Sequence, residues 1–309
     1  MARHTAWPRL LICWALSLFT TLSVSAQTDS PDGATAAPVL ESHTLSSKST
    51  AARITYHLYL PPAYTTDTER RFPVIYWLHG SGGYPPGVLP MLAGRFARAI
   101  AADKMPPALV VFLDDGSGRS MWVDAKDKSV DMETMIVTEL LPHLDANYRT
   151  LASPAGRLLE GGSMGGYGVA RLGLKFPELF GAVSMISGGP LQEVLVPADA
   201  PLVGARHAQR ILDDVYGGDP DYFRELSPWH LAEQYAADGP GDLLIRIIVG
   251  GGDEVYENNR RFAEHLEALD ISHTFHPLAG VPHLPKAVFA ALGDDYWTFF
   301  AEYFSDLGE

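Results

Sequence analysis

The sequence has a single cysteine, Cys13, and few basic residues for its length of 309 residues. One cysteine excludes an intramolecular disulfide and any metal site built from several thiolates. Lysine and arginine number 23 against 37 aspartates and glutamates, which gives a formal charge of −14. A chain this acidic is not expected to bind DNA or RNA through the phosphate backbone. The same charge favours neutral or weakly charged small molecules over anionic polymers.

Long apolar runs are also missing, because no stretch after residue 26 approaches the ~18 residues of a membrane helix. One short apolar run, Leu10–Phe19, follows two arginines and precedes the small residues Val24–Ala26. This order is typical of a secretory signal peptide. We predict cleavage after residue 26, which removes Cys13 and leaves 21 basic and 37 acidic residues, a charge of −16. The protein would then be secreted or periplasmic.

The rest of the composition is that of an ordinary globular chain, with 47% hydrophobic and 19% charged residues, which excludes disorder over most of the length. Residues 27–38 are small, polar or proline and predict a flexible leader. The pattern changes at residue 39. Alternating apolar residues in Arg53–Leu60 predict a half-buried strand, which can form a hairpin with Val39–Ser46.

Short apolar segments then alternate with helical patterns. The predicted strands are Val74–Leu78, Ala108–Leu113, Arg157–Leu159, Ala182–Ile186, Leu243–Val249 and Ser272–His276. The predicted helices are Met91–Ala102, Asp131–Asn147, Met164–Lys175, Asn258–Leu269 and Lys286–Phe304. Nearly continuous apolar strands separated by helices predict an α/β fold, with a mostly parallel central sheet and helices on both faces.

One segment, residues 191–238, breaks this alternation. It lies between two predicted strands and contains only short helical patterns, Ala205–Val215 and Trp229–Ala237. Such a length exceeds that of a simple crossover, so we expect a small cap over one end of the sheet. The sequence has no internal repeat and no linker-like stretch after the leader. Residues 39–309 are therefore predicted to form one domain with this cap inserted.

The motif with the clearest chemistry is Gly161-Gly162-Ser163-Met164-Gly165, which fits G-x-S-x-G. A predicted strand precedes it and a predicted helix follows, which is the setting of a nucleophile elbow. The glycines let neighbouring backbones approach a sharp turn, so that the serine oxygen stands over the carboxyl edge of the sheet. The amides at the start of the following helix favour negative charge that develops there.

A second motif, VIYWLHGSGG at residues 74–83, contains a strand that runs into His-Gly-x-Gly-Gly. This is typical of the loop that supplies one backbone N–H group to the oxyanion hole of hydrolases with a nucleophile elbow. The negatively charged oxygen of the tetrahedral intermediate needs two backbone N–H donors. We predict those of Met164 and Ser81, with Gly80 or Gly82 as alternatives to Ser81. His79 precedes the expected acid in the chain and is interpreted as structural.

An acid and a histidine complete the predicted triad. The apolar strand that ends near residue 249 is followed by three glycines and then Asp253, where a carboxylate can reach a histidine; Glu254 is the alternative. Of the histidines that follow, His283 lies in the Gly/Pro loop LAGVPHLP and is the predicted base. The other candidates are His265, His273 and His276. No metal or organic cofactor is required.

Four blocks, in this order, resemble the esterase D-like family of α/β-hydrolases: YWLHGSGG, SMWVDA, ELLPHLDANYR and GGSMGGYGVARLGLKFPELFGAVSMISGG. The resemblance extends over roughly Arg53 to Tyr303. The family includes S-formylglutathione hydrolase, feruloyl and acetylxylan esterases, enterochelin esterase and the mycobacterial mycolyltransferases. It implies the α/β-hydrolase fold and hydrolysis of carboxylic esters, with Ser163 as nucleophile, Asp253 as acid and His283 as base.

The sequence departs from this family after the predicted catalytic histidine. Many relatives have a sequence rich in His-Asp or His-Asn there, whereas Leu284-Pro285 follows here, which leaves the leaving-group environment open. The cysteines of many members are also missing. A cytosolic S-formylglutathione hydrolase is at odds with the signal peptide.

Several side chains that follow strand ends or lie in the cap are candidates for the walls of a substrate pocket: Tyr84, Met121, Trp122 and Trp229. An aromatic wall would suit an aryl acid or a sugar face, although each residue could instead pack beneath the cap. Asp114-Asp115 also follow a strand end and could line the cleft or cap a turn.

The sequence as a whole predicts a secreted serine esterase for a small-molecule or carbohydrate-linked ester. It predicts neither nucleic-acid binding nor stable membrane insertion, and it does not determine the oligomeric state. Two alternatives stay open. One is an acyltransferase, in which a carbohydrate hydroxyl replaces water. The other is a non-catalytic binding module on the same fold, which the intact serine, aspartate and histidine set disfavours.

Overall fold

The structure is a computed structural model, and it describes residues 39–307 apart from 201, 203 and 240. The predicted signal peptide (1–26) and leader (27–38) lie outside the described residues. The described strands are β1 (Leu40–Ser46), β2 (Arg53–Tyr59), β3 (Val74–Leu78), β4 (Leu109–Asp114), β5 (Arg157–Gly162), β6 (Ala182–Ile186), β7 (Leu244–Gly250) and β8 (His273–Leu278).

These strands form one sheet in the order β1-β2-β4-β3-β5-β6-β7-β8. β1 and β2 form the predicted antiparallel hairpin, and β2 also pairs antiparallel with β4. All later pairings, from β4 to β8, are parallel. Parallel strands present their carboxyl ends at one edge, so the loops after β3, β5, β7 and β8 gather there. The prediction of a mostly parallel sheet is confirmed.

The helices are distributed over both faces of the sheet. They are α1 (Ala63–Thr66), α2 (Val88–Ala101), α3 (Met132–Thr134), α4 (Leu141–Asn147), α5 (Met164–Lys175), α6 (Gly204–Tyr216), α7 (Pro220–Leu226), α8 (Pro228–Ala237), α9 (Tyr256–Ala268), α10 (Pro285–Leu292) and α11 (Asp295–Phe304). A π-helical segment, Met135–Leu140, joins α3 to α4. None of the described helices combines the length and the apolar character needed to cross a membrane.

Two apolar layers, one on each face, bury the sheet. Every residue of β3 is buried. Its side chains point alternately into one layer and the other. Tyr76 and Leu78 belong to the layer that includes α5, whereas Ile75 and Trp77 belong to the layer that includes α2 and α11. Burial on both faces explains why β3 is an unbroken apolar run, as expected for a central parallel strand.

The prediction of one helix over Lys286–Phe304 is wrong. The chain forms two helices, α10 and α11, because Gly293 ends the first with a φ of 54°, a region that favours glycine. The predicted helix over residues 131–147 is present, with the π-helical segment inside it.

The segment predicted as a cap contains one helix, α7, that was not predicted. α7 lies between the two helical patterns that were predicted there, which became α6 and α8. It begins with Pro220, and the side chain of Asp219 accepts hydrogen bonds from the N–H groups of Asp221 and Tyr222. An Asp-Pro pair of this kind is a helix-start signal that the sequence displays.

Candidate active site

Ser163 occupies the turn between β5 and α5, with φ 57° and ψ −120°. Such a conformation is strained for a residue with a side chain, and it persists only where its surroundings enforce it. Two flanking glycines allow the close approach. A Cβ on Gly165 would lie 2.0 Å from the carbonyl oxygen of Leu78, and one on Gly161 would lie 2.6 Å from the carbonyl carbon of Gly165. The G-x-S-x-G spacing is thus explained by contacts between backbones.

Replacing Gly165 by alanine is expected to destabilise the fold by about 3 kcal/mol or more, because the added methyl group meets backbone that cannot rotate away. The neighbouring Gly162→Ala is the matched control. Its Cβ would find its nearest atom, the oxygen of Ile186, at 3.8 Å, so the cost is expected to stay within about 1 kcal/mol. Urea unfolding of both variants measures the difference, and equal costs would contradict this explanation of the elbow.

The loop after β3 lies directly against the serine. A Cβ on Gly80 would be 3.1 Å from the Cβ of Ser163 and 3.8 Å from its Oγ. The N–H of Gly82 already donates to the oxygen of Gly118 at 2.9 Å, so this alternative oxyanion donor is engaged elsewhere. Met164 is the first residue of α5, where an N–H has no partner within the helix. Of the predicted donors in this loop, Ser81 and Gly80 remain candidates beside Met164.

His79 belongs to the support of this loop. Its side chain is buried, with Nδ1 2.8 Å from the oxygen of Gly80, and the N–H of Asp115 donates to Nε2 at 3.2 Å. The imidazole packs against Tyr84 and Trp122, with ring centroids 5.0 and 4.8 Å away. Both nitrogens are therefore used in fixing the loop, in line with a structural role.

The carboxylate of Asp115 organises the loop after β4. It accepts hydrogen bonds from the N–H groups of Ser117 at 2.9 Å and Ser120 at 3.0 Å, and from that of Gly118. Burial is the largest influence and raises the pKa of Asp115, but the hydrogen bonds with His79 and Ser120 outweigh it and hold this pKa well below its usual range. Of the two roles considered for Asp115, the structure therefore shows the one that caps a turn.

A cation site can be imagined among the described residues at His79, Asp114 and Asp115, whose ligand atoms lie within 4.8 Å of one another. The nitrogens of His79 and the oxygens of Asp115 are already hydrogen-bonded within the protein, as described above. The donor set therefore fits a loop anchor better than a metal ligand set.

Asp115→Ala is expected to lower the free energy of unfolding by about 3 kcal/mol, since it leaves several buried N–H groups without their charged acceptor. The more exposed Asp114→Ala is the control and should cost less. Because the folded-state pKa of Asp115 is lowered, the stabilisation is full above the ordinary pKa of about 3.9 and declines as the pH falls below it. Urea titrations at neutral and acidic pH check both points. A difference between the wild type and Asp115→Ala that grows on acidification would contradict them.

The loops after β7 and β8 bring Asp253 and His283 together. Nδ1 of His283 lies 2.8 Å from Oδ2 and 3.0 Å from Oδ1 of Asp253. The aspartate side chain is fully buried, whereas that of the histidine is 23% exposed. Burial raises the pKa of Asp253 most strongly, but the hydrogen bonds with His283 and from the N–H of Val255 outweigh it and lower this pKa. The aspartate is thus held as a carboxylate that orients the imidazole.

The residues considered as alternatives for the acid and the base make other contacts. The carboxylate of Glu254 accepts from the N–H of Leu202 at 2.9 Å. His273 and His265 face backbone oxygens, those of Ile271 and Trp229. His276 lies on β8 and lines a separate cavity.

Two cavities meet at Ser163. The larger, which we call the chamber, has a volume of about 340 Å³ and is also lined by Ser81 and His283. The smaller, which we call the cleft, has a volume of about 30 Å³ and is lined by Ser81 and Met121 besides Ser163. The structure thus places the predicted nucleophile and base on the wall of one chamber.

Of the four predicted pocket residues, Met121 alone lines either cavity among the described residues. Trp122 is fully buried, and its Nε1 donates to the oxygen of His79. Trp229 is buried against Phe262 and His265. The hydroxyl of Tyr84 donates to the oxygen of Trp77. The expectation that these three aromatic side chains form pocket walls is corrected to packing, because each is held by core neighbours.

Several apolar residues of the chamber wall were not predicted from the sequence. They come from α2, α10 and the end of β3, and include Trp77, Val88, Met91, Val288 and Phe289. In the sequence they appear only as the apolar faces of two distant helices and one position of a buried strand, so no local motif marks them.

Comparison with known proteins places the chain in a family. A family model described as "Putative esterase" matches residues 47–302, most of the chain, and the protein therefore belongs to this esterase family. Esterase Rv1288 of Mycobacterium tuberculosis is 29% identical over 253 residues, covering 72% of this chain and 50% of that protein. An endo-1,4-beta-xylanase/feruloyl esterase of Xylanibacter ruminicola is 32% identical over 155 residues, 46% of this chain and 20% of that protein. The chain thus spans half or less of the length of these curated relatives.

Solved structures show the same fold. A ferulic acid esterase superposes with a TM-score of 0.71 at 21% identity, covering 86% of this chain and 99% of the other. An S-formylglutathione hydrolase from Agrobacterium tumefaciens gives 0.67 at 22% identity, covering 86% and 96%. Together with the sheet order, these likenesses confirm the predicted α/β-hydrolase fold.

Proposed function

We propose that the protein is a serine esterase in which Ser163 is the nucleophile, His283 the general base and Asp253 the residue that orients the base. One observation carries the proposal above the others. The Asp253–His283 hydrogen bond, 2.8 Å long, ends at the chamber whose wall also holds the strained Ser163. Membership of the esterase family supports the reaction type.

Acylation follows from this arrangement. The Oγ of Ser163 attacks the ester carbonyl carbon while His283 accepts the serine proton. The buried carboxylate of Asp253 holds the Nδ1 of His283, so that the other ring nitrogen is free to take this proton, and it stabilises the imidazolium that forms. The carbon–oxygen bond to the alcohol then breaks, the proton passes from His283 to the leaving oxygen, and an acyl-enzyme remains.

The negative charge on the tetrahedral oxygen is met by backbone amides. The N–H of Met164 opens α5, and that of Ser81 lies in the loop packed against Ser163. Two fixed donors in a partly closed cavity stabilise this charge without reorganisation during the reaction. The anchoring of the loop by His79 and Asp115 keeps the donors in place.

Deacylation uses the same groups in reverse. Water gives a proton to His283 and attacks the acyl carbon, the bond to the Oγ of Ser163 breaks, and the serine regains a proton as the carboxylic acid leaves. An acyltransferase would run the same step with a carbohydrate hydroxyl in place of water.

We also propose that the protein acts outside the cytoplasm. The support is the basic start, apolar core and small residues of positions 1–26 in the sequence. Terminal sequencing of the protein made by cells tests it, with a first residue of Gln27 as the expected result and a retained Met1 as the contrary one.

The esterase proposal is tested by product analysis on short esters of neutral alcohols, with and without a sugar acceptor. Free acid and free alcohol in equal amounts are the expected products. Acylated sugar as the main product at low acceptor concentration would instead assign the chain to acyl transfer. A folded protein that turns over no ester in the set would count against catalysis altogether.

A further inference from the structure

The two cavities at Ser163 differ in volume about tenfold, 340 Å³ against 30 Å³. An ester also has two unequal sides, the acyl group and the alcohol. We infer that the cleft accepts a short acyl group of two or three carbons and that the chamber accepts an uncharged, apolar leaving alcohol. This inference rests on the proposed function and adds the substrate class to it.

The position of His283 decides which cavity takes which side. The base must return its proton to the alcohol oxygen as the bond between that oxygen and the acyl carbon breaks, so the alcohol leaves on the side of His283. His283 lines the chamber, together with Leu284 and Pro285. Among the described residues that line the cleft, His283 is absent. The chamber is therefore the alcohol side and the cleft the acyl side.

The size of the cleft limits the acyl group. A space of about 30 Å³ holds only a few non-hydrogen atoms, since one water needs ~10–15 Å³ by the same measure. Its walls include Met121, Leu195, Ile211 and Val255, all of which are buried. An acetyl or propionyl group fits this space, whereas a longer chain or an aromatic acid needs the walls to shift.

The chemistry of the chamber selects the alcohol. Among its described lining residues there is no aspartate, glutamate, lysine or arginine, and most are apolar. Leu284 stands at the rim with 59% of its surface exposed, directly after the predicted base. A charged alcohol would find no counter-charge there and would lose hydration on entry. An aliphatic or aromatic alcohol gains from burial against Trp77, Met91 and Phe289 instead.

Two isomeric esters test the assignment on the wild-type protein. Octyl acetate carries its chain on the alcohol side and methyl nonanoate carries it on the acyl side, with the same total carbon number. We expect kcat/KM to be at least about tenfold higher for octyl acetate, measured below the solubility limit of both. Equal values, or a preference for methyl nonanoate, would overturn the inference.

Labelling with a fluorophosphonate distinguishes failure of the substrate inference from failure of the proposed function. If the probe labels Ser163 but neither isomer is hydrolysed, the serine hydrolase assignment stands and the substrate inference is overturned. If the folded protein is neither labelled nor active, the proposed function itself fails. Hydrolysis of octyl acetate that persists in Ser163→Ala would also count against the proposed function.

Variants in each cavity give a second readout. Leu284→Asn is expected to lower kcat/KM about tenfold for octyl acetate and less for methyl acetate, because the short alcohol does not reach the rim. Leu244→Asn, at the exposed start of β7, is the matched control and should change neither. Equal losses on both esters in Leu284→Asn would indicate a structural role and overturn the rim assignment.

The cleft is tested from the opposite direction. Ile211→Ala enlarges it and is expected to raise the ratio of kcat/KM for octyl butyrate over octyl acetate about tenfold. The ratio cancels any general loss from a less stable cap. An unchanged ratio in the folded variant would contradict the acyl role of the cleft.

Discussion

Ser163→Ala is expected to lower kcat for ester hydrolysis by about 10⁴- to 10⁶-fold, with little change in the free energy of unfolding. The hydroxyl is the only group removed, and alanine retains the same Cβ at the strained turn, so the elbow keeps its backbone contacts. The large loss is expected because the proposed acyl-enzyme forms on this hydroxyl.

The measurement is steady-state hydrolysis of octyl acetate alongside urea unfolding, with the exposed Ser129→Ala as the control serine. We expect kcat to stay near the wild-type value in Ser129→Ala and to be almost lost in Ser163→Ala. A folded Ser163→Ala that retains more than about one-hundredth of the wild-type kcat would show that the reaction does not pass through this serine.

His283→Ala is expected to produce a loss of similar size, again about 10⁴-fold or more, because both proton transfers of the proposed mechanism pass through this imidazole. In the proposed mechanism Ser163 and His283 act as one unit, so the double variant should be hardly worse than either single one. This non-additivity is a sharper test than either single loss. If the two substitutions acted independently, for example through structural damage, their fold-losses in kcat would multiply in the double variant.

The matched control is His276→Ala, which removes an imidazole from β8 at a separate cavity. It should leave kcat within about threefold of the wild-type value, as for a substitution away from the site. If His276→Ala abolished turnover and His283→Ala did not, the base would have to be reassigned, and the 2.8 Å contact with Asp253 would need another explanation.

Much of the candidate site can be predicted from sequence because it depends on local features. The elbow is one turn between a strand and a helix, and Gly161 and Gly165 are required by contacts with each other and with the backbone at the end of the neighbouring strand β3. Likewise, Asp253 and His283 each follow a strand, and parallel strands bring their carboxyl ends to one edge. Chain order and strand position therefore suffice to propose the triad.

Features of the site that depend on contacts between residues far apart in the chain could not be predicted in the same way. Trp122 follows a strand end as pocket residues often do, yet its ring is buried against His79 and its Nε1 bonds to a backbone oxygen. The exclusion of Gly82 as an oxyanion donor depends on Gly118, 36 positions away in the chain. The chamber wall joins α2 to α10, nearly 200 residues apart. No local pattern records such contacts.

The break at Gly293 is an intermediate case. The glycine is visible in the sequence, but a glycine within an apolar helical pattern is compatible with either a continuous helix or a break. The structure decides for the break, with α11 packed across the layer that contains Trp77 and Phe96. The positive φ of Gly293 permits the break, and α11 then packs in a direction of its own.

The central claim is that Ser163 is a nucleophile activated within this site. The most direct test is to treat the folded wild-type protein with a fluorophosphonate and to locate the modified residue by peptide mass spectrometry. The account predicts one phosphonylated serine, Ser163, with hydrolysis of octyl acetate lost in proportion to labelling. Labelling elsewhere, or full activity in a protein fully modified at Ser163, would contradict it.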